Sequence, residues 1–155
     1  LNISNWRRPA PNTIPWDTKA SGLYMICTLS KHEAEKQGYI DSLMLDHDGN
    51  VAEATGANIF FKDKNGEIHT PIPDSFLDGI TRRTVIGIAK SKNIKVHERK
   101  ISPTELPNFV GCFLTGTAAE VTPVSCIAEN QFKVCDTIID LNESYQALVR
   151  KKKAA

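Results

Sequence analysis

Three loops of this chain combine glycine with hydroxyl side chains where a strand ends or a helix begins: Glu53-Ala54-Thr55-Gly56-Ala57-Asn58, Leu77-Asp78-Gly79-Ile80-Thr81 and Thr115-Gly116-Thr117-Ala118-Ala119-Glu120. In the last two, glycine leaves backbone N–H groups uncovered beside threonine hydroxyls. That is the chemistry of an anion cradle, and at Gly79-Ile80-Thr81 the positive end of a helix dipole adds to it. A phosphate suits such a cradle. Each loop taken alone also reads as an ordinary helix cap or tight turn. Cys27, Cys112, Cys126 and Cys135 form no C-x-x-C pair and have no metal-ligand spacing. They read as reduced thiols, with neither disulfide nor structural metal.

The elements that must carry these loops follow a mixed α/β pattern. Pro9, Pro11 and Pro15, with Trp6 and Trp16 among polar residues, predict an extended connector over 1–17. Apolar residues at threes and fours predict an amphipathic helix over 18–37, stopped by Gly38. Strands are expected at 39–46 and 51–53 around a turn at 47–50, and at 58–61 and 67–70 around Lys64-Asn65-Gly66. Thr81 is placed to cap a helix reaching about Lys92, and a strand follows at 94–98. Ser102-Pro103-Thr104-Glu105 is a capping box, 112–115 a strand, and 121–128 and 131–134 flank a Glu129-Asn130 turn. Asp136 or Thr137 would cap a last helix with Ile138, Leu141, Tyr145 and Leu148 on its inner stripe.

The 155 residues suit one core, and 41% apolar with 24% charged residues is a globular composition. A net charge of +1 argues against nucleic acid or a membrane surface as partner. The basic run at 150–153 reads as a solvated helix end. No apolar run approaches the roughly 18 residues of a membrane span and no signal peptide opens the chain, so a cytoplasmic location is expected. Leu1 in place of Met points to a processed product or a piece of something longer.

Taken together and in order, Lys19-Ala20-Ser21-Gly22-Leu23-Tyr24 and the three loops resemble the class IV (fold type IV) pyridoxal-phosphate aminotransferases, and among them the branched-chain amino-acid enzymes. Pro11-Asn12-Thr13-Ile14-Pro15 before the lysine, Gly79-Ile80-Thr81-Arg82, and Gly116-Thr117-Ala118-Ala119-Glu120-Val121-Thr122-Pro123-Val124 carry the likeness. It extends over 5–135. The resemblance implies a mixed-sheet, barrel-like α/β domain at 18–155 with helices packed outside. It implies pyridoxal 5'-phosphate as cofactor, amino acids and 2-oxo acids as substrates, and a homodimer or higher oligomer.

Residue by residue, the resemblance implies that Lys19 bonds to the cofactor and later moves the proton, and that Glu53 pairs with the ring nitrogen. Tyr24 would hydrogen-bond the phenolic oxygen and Leu77 pack on the ring. Gly79, Ile80, Thr81, Gly116 and Thr117 would hold the phosphate, and backbone at Thr117 and Ala118 would face the substrate carboxylate. Two departures stand out: Glu53-Ala54-Thr55-Gly56-Ala57-Asn58 where relatives often have Glu-Gly-x-Gly-Glu-Asn, and Asp78 where many have proline. They bear on substrate choice more than on reaction type. The family's N-terminal domain, with the arginine that clamps the phosphate, is expected to be absent. A D-amino-acid aminotransferase, an aminodeoxychorismate lyase and a non-catalytic remnant remain alternatives.

Overall fold

The computed structural model describes residues 1–150. Their strands are β1 (Asn2–Arg7), β2 (Ser42–Leu45), β3 (Val51–Ala54), β4 (Asn58–Asp63), β5 (Ile68–Thr70), β6 (Val96–Glu98), β7 (Phe109–Gly116), β8 (Glu120–Pro123), β9 (Cys126–Ile127) and β10 (Asn130–Gln131). The helices are α1 (Met25–Lys36), α2 (Ile80–Ser91) and α3 (Asp136–Val149). Within the basic run, Arg150 is the C-cap of α3; the rest lies outside the described residues.

Two central strands organise the sheet because both of their faces are apolar. In β4, Ile59 and Phe61 join one core and Phe60 the other; in β7, Cys112 and Leu114 join the first and Phe113 the second. The two strands pair antiparallel from Asn58↔Thr115 to Lys62↔Gly111, and the Phe60 and Phe113 rings stack with centroids 4.9 Å apart. On that face α2 contributes Val85, Ile86 and Ala89, and α3 contributes Ile138, Leu141 and Tyr145. Each such aliphatic side chain stabilises the fold by roughly 1.5–3 kcal/mol on full burial. Ile101, Leu106, Phe109, Ile127 and Phe132 cover the opposite face.

The sheet is mixed, as expected, but the barrel does not close. β7 occupies the whole of one edge of β4. β3 meets the other edge only at Glu53↔Asn58, and β5 only at Phe61↔His69 and Lys62↔Ile68. The sheet therefore splits along β4, and among the described residues its outer strands β1, β6 and β8 do not pair with one another.

Other differences have local causes. Residues 1–17 are not merely a connector, since β1 pairs parallel with β2 at Asn2↔Ser42 and Ile3↔Leu43. Its inward residues are polar: the Ser4 and Ser30 hydroxyls lie 2.6 Å apart, and Ser42 Oγ donates to Asn2 Oδ1 at 2.5 Å. Hydrophobic alternation could not reveal a strand anchored by hydroxyls. The first helix begins as a 3-10 turn at Ser21–Tyr24 before α1. Gly79, not Thr81, is the N-cap of α2, and Cys135, not Asp136 or Thr137, is that of α3; neither cap makes a side-chain hydrogen bond. Leu148 is 52% exposed, because the cover over α3 ends a turn before its apolar stripe does. Gly38, Gly49 and Gly66 hold the positive φ that their turns require, and the Ser102–Glu105 capping box is complete.

Candidate active site

Directly paired residues project from the same face of a sheet. Register sets Glu53 of β3 beside Asn58 of β4, and Asn58 beside Thr115 of β7. These three side chains form a polar row on the face that carries Phe60 and Phe113 deeper in. A cavity of about 280 Å³ lies over the row, where the cover by α2 begins.

The cavity gathers the predicted residues from distant parts of the chain. Lys19 and Tyr24 line it from the approach to α1, and Glu53 from β3. Leu77, Gly79, Ile80 and Thr81 come from the start of α2, and Gly116 and Thr117 from the end of β7. Ala118, by contrast, is exposed and is not part of the lining. Lys19 and Thr117 sit at the exposed rim, and Ile80 is 77% exposed. Thr81 is buried, with its hydroxyl 3.4 Å from Tyr145 Oη. By helix geometry the N–H groups of the first turn, including those of Ile80 and Thr81, have no intrahelical acceptor. They lie at the positive end of α2, where an anion is favoured.

Glu53 governs the electrostatics. Burial pushes its carboxyl up to about 8, although the Arg8 guanidinium pulls it down. Tyr24 is also raised, first by its own burial and then by the Glu53 charge. Glu53 is thus a carboxyl whose charge is incompletely compensated, and a cationic nitrogen brought beside it would favour its ionised form.

Sequence reasoning missed three parts of this wall. Arg8 is 4% exposed and places Nε 3.4 Å from Glu53 Oε1. It also donates to the carbonyls of Ser75 at 3.3 Å and Leu23 at 3.4 Å. Its only sequence signal was an arginine pair before Pro9. Asn58 closed the first glycine loop and opened a strand, with no role of its own assigned; its amide binds both Leu77 and Gly79. Thr115 has a buried hydroxyl without a partner. A buried polar group left unsatisfied costs about 1–3 kcal/mol.

The model of the family described as Amino-transferase class IV matches residues 1–127. The chain belongs to the class IV aminotransferases. This class IV aminotransferase chain is 41% identical to the probable branched-chain-amino-acid aminotransferase of Rickettsia bellii, over 97% of its own length and 53% of the relative's. Its fold matches the branched-chain amino acid aminotransferase of Thermobaculum terrenum in its PLP holo-form, at a TM-score of 0.91 and 34% identity, covering 96% of this chain and 50% of that one. For the Escherichia coli branched-chain amino acid aminotransferase the TM-score is 0.90 and the identity 35%, covering 95% and 51%. The chain spans about half the length of the relatives it matches.

Proposed function

We propose that this chain is the cofactor-binding part of a branched-chain amino-acid aminotransferase. It would exchange an amino group between Leu, Ile or Val and 2-oxoglutarate with the help of pyridoxal 5'-phosphate. The observation that carries the reading is one cavity with an amine at its rim, an undercompensated buried carboxyl in its floor and a helix N-terminus in its wall. These three groups fit an aldehyde, a ring nitrogen and a phosphate, and the relatives' names point to the same cofactor and reaction.

The first-turn N–H groups at Ile80 and Thr81, with Gly116 and Thr117, would hold the phosphate. Glu53 would hold a proton on the ring nitrogen, Tyr24 would hydrogen-bond the phenolic oxygen, and Leu77 would pack against the ring face. When bound, the cofactor supplies an aldehyde carbon that takes up the amino group and a ring that withdraws electrons from the substrate Cα. Lys19 Nζ would bond to that carbon at rest and, once displaced by the substrate amine, carry the proton away from Cα. Backbone at Thr117 and Ala118 would meet the substrate carboxylate.

The relatives are about twice as long, which supports a further domain as partner, one that would supply the phosphate-clamping arginine and a second wall; a homodimer or higher oligomer is part of the same proposal. Four cysteines without disulfides favour the cytoplasm, and among the described residues no helix is long and apolar enough to cross a membrane. The test is borohydride reduction of the protein with pyridoxal phosphate, followed by peptide mapping. The pyridoxyl group is expected on Lys19, and its appearance on another lysine would overturn the assignment. A leucine and 2-oxoglutarate assay, with and without a separately produced N-terminal domain, tests the substrate class.

A further inference from the structure

We propose that Asn58 is a positioning residue that locks the Glu53 carboxyl and the Leu77–Gly79 turn into one rigid unit, with Gly79 as its required mate. The inference rests on the reading that Glu53 meets the ring nitrogen and the start of α2 meets the phosphate. Those two ends of a planar ligand lie at a fixed separation, so the protein must hold its two contact points at a matching one.

Asn58 is 5% exposed and stands between Glu53 and Thr115 in the polar row. Its Nδ2 donates to the Leu77 carbonyl at 2.8 Å and faces Glu53 Oε2 at 3.5 Å. Its Oδ1 accepts from the Gly79 N–H at 3.2 Å. One amide therefore spans the strand that carries the acid and the loop that opens the helix. Only a group with a donor at one end and an acceptor at the other meets this set. Aspartate would set a carboxylate against the Leu77 carbonyl and the Glu53 carboxyl, and alanine would leave the Leu77 and Gly79 backbone groups unpaired.

The other half of the device is steric. A Cβ at Gly79 would overlap Asn58 Oδ1, so any side chain there must expel the amide. The backbone of Gly79, at φ −61° and ψ 144°, is one that any residue adopts. Space, not conformation, requires glycine at this position. A preformed spacing spares the ligand the cost of ordering the loop.

The experiment uses the 155-residue chain in three forms, wild type, Asn58→Ala and Gly79→Ala, with folding checked by circular dichroism. The Glu53 carboxyl is titrated by 13C NMR, backbone hydrogen exchange is followed at Gly79, and pyridoxal phosphate affinity is measured by fluorescence. Both variants are expected to raise the Glu53 titration midpoint, since a donor to the charged form is lost. They should also speed exchange at Gly79 and weaken cofactor binding by about tenfold. Folded variants with unmoved Glu53 titration and unmoved exchange would overturn the proposal. So would unfolding of both, because the amide would then be a keystone of the fold and not a spacer. A wild type that ignores pyridoxal phosphate while both NMR readouts shift would overturn the cofactor reading and leave the Asn58 lock standing.

Discussion

β4 carries a cluster of ionisable and hydrogen-bonding groups at each end, and the two clusters are built on opposite principles. At its start, around Asn58, the Glu53 carboxyl is raised by burial and Thr115 keeps an unpaired hydroxyl. At its end, every acid has answering donors. Asp63 Oδ1 accepts from the backbone of Asn65 and Glu67, each at 2.9 Å. Glu67 takes His97 at 2.6 Å and Lys95 at 3.2 Å, and Glu105 takes Arg99 at both oxygens, at 3.1 and 2.7 Å. Asp63, Glu67 and Glu105 are accordingly all held below their ordinary values.

The contrast separates a place for a ligand from a place that merely contains ligand-type residues. Glu67, His69 and His97 bring one donor atom each within 4.8 Å, a spacing open to a metal ion. Yet His69 Nδ1 accepts from Arg99 Nε at 3.1 Å, so its proton sits on Nε2 and faces Asp63 Oδ2 at 3.4 Å. No lone pair of His69 is free. The far cluster completes itself, and the near one leaves the Glu53 charge undercompensated.

The comparison breaks first at Lys19. Lys19→Ala is expected to abolish covalent capture of pyridoxal phosphate and to lower transamination by the complete enzyme at least about 10⁴-fold. His97→Ala should leave capture intact. Mass spectrometry after reduction reads both, and capture by the Lys19 variant would sink the near cluster as the reactive one.

Next in size comes the pH dependence of Glu53. Its folded-state pKa of about 8 lies above the ordinary 4.5. Between those values the folded chain binds more protons than the unfolded one, so stability falls as pH rises from about 5 to 8 and levels off above. The slope approaches about 1.4 kcal/mol per pH unit and sums to a few kcal/mol. Urea unfolding of the cofactor-free chain should show this loss, and Glu53→Gln should remove it. Subtracting the two curves cancels the histidines, including His69, which burial lowers.

Arg8→Leu should cost about 2 kcal/mol at pH 9, less than the roughly 3–5 kcal/mol of breaking a buried pair, because Glu53 can escape its loss by protonation. At pH 6, where Glu53 is already neutral, the cost should shrink. An equal cost at both pH values would show that Arg8 works through the Ser75 and Leu23 carbonyls instead.

These roles were unevenly legible in the sequence. Short continuous apolar runs announced β4 and β7, and Asn-Gly and Asp-Gly pairs announced the turns, because local sterics decide both. Lys19, Glu53 and the two cradle loops were legible only as a set of spaced motifs, since each one alone is an ordinary cap or turn. Arg8 was not, and Asn58 and Thr115 stood inside two of the loops without a role, because what matters is which strand each lies beside. A parallel pairing of β1 with β2 across more than thirty residues, and the split of the sheet along β4, follow from tertiary closure and from no local signal.

The smallest expected effect sharpens the comparison from the far end. The Arg99–Glu105 pair is bidentate but about a third exposed on each side, at 34% and 33%, so it belongs with surface pairs that contribute about 0.2–1 kcal/mol. Glu105→Gln keeps an oxygen for the Ser102 N–H, which Glu105 Oε1 accepts at 2.8 Å, and removes the charge together with the acceptor for Arg99 Nη2. The first cause of the lowered pKa of Glu105 is its bond to Arg99. Its stabilisation is therefore present above the unfolded value and lost as pH falls through the folded one. The urea midpoint of Glu105→Gln should trail wild type slightly at pH 7 and meet it near pH 3, the reverse of the trend at Glu53. Opposite slopes from two carboxyls at the two ends of one strand would follow directly from one being fully answered by donors and the other, despite Arg8, being left undercompensated by its burial. Slopes of the same sign would mean that burial, not pairing, governs both.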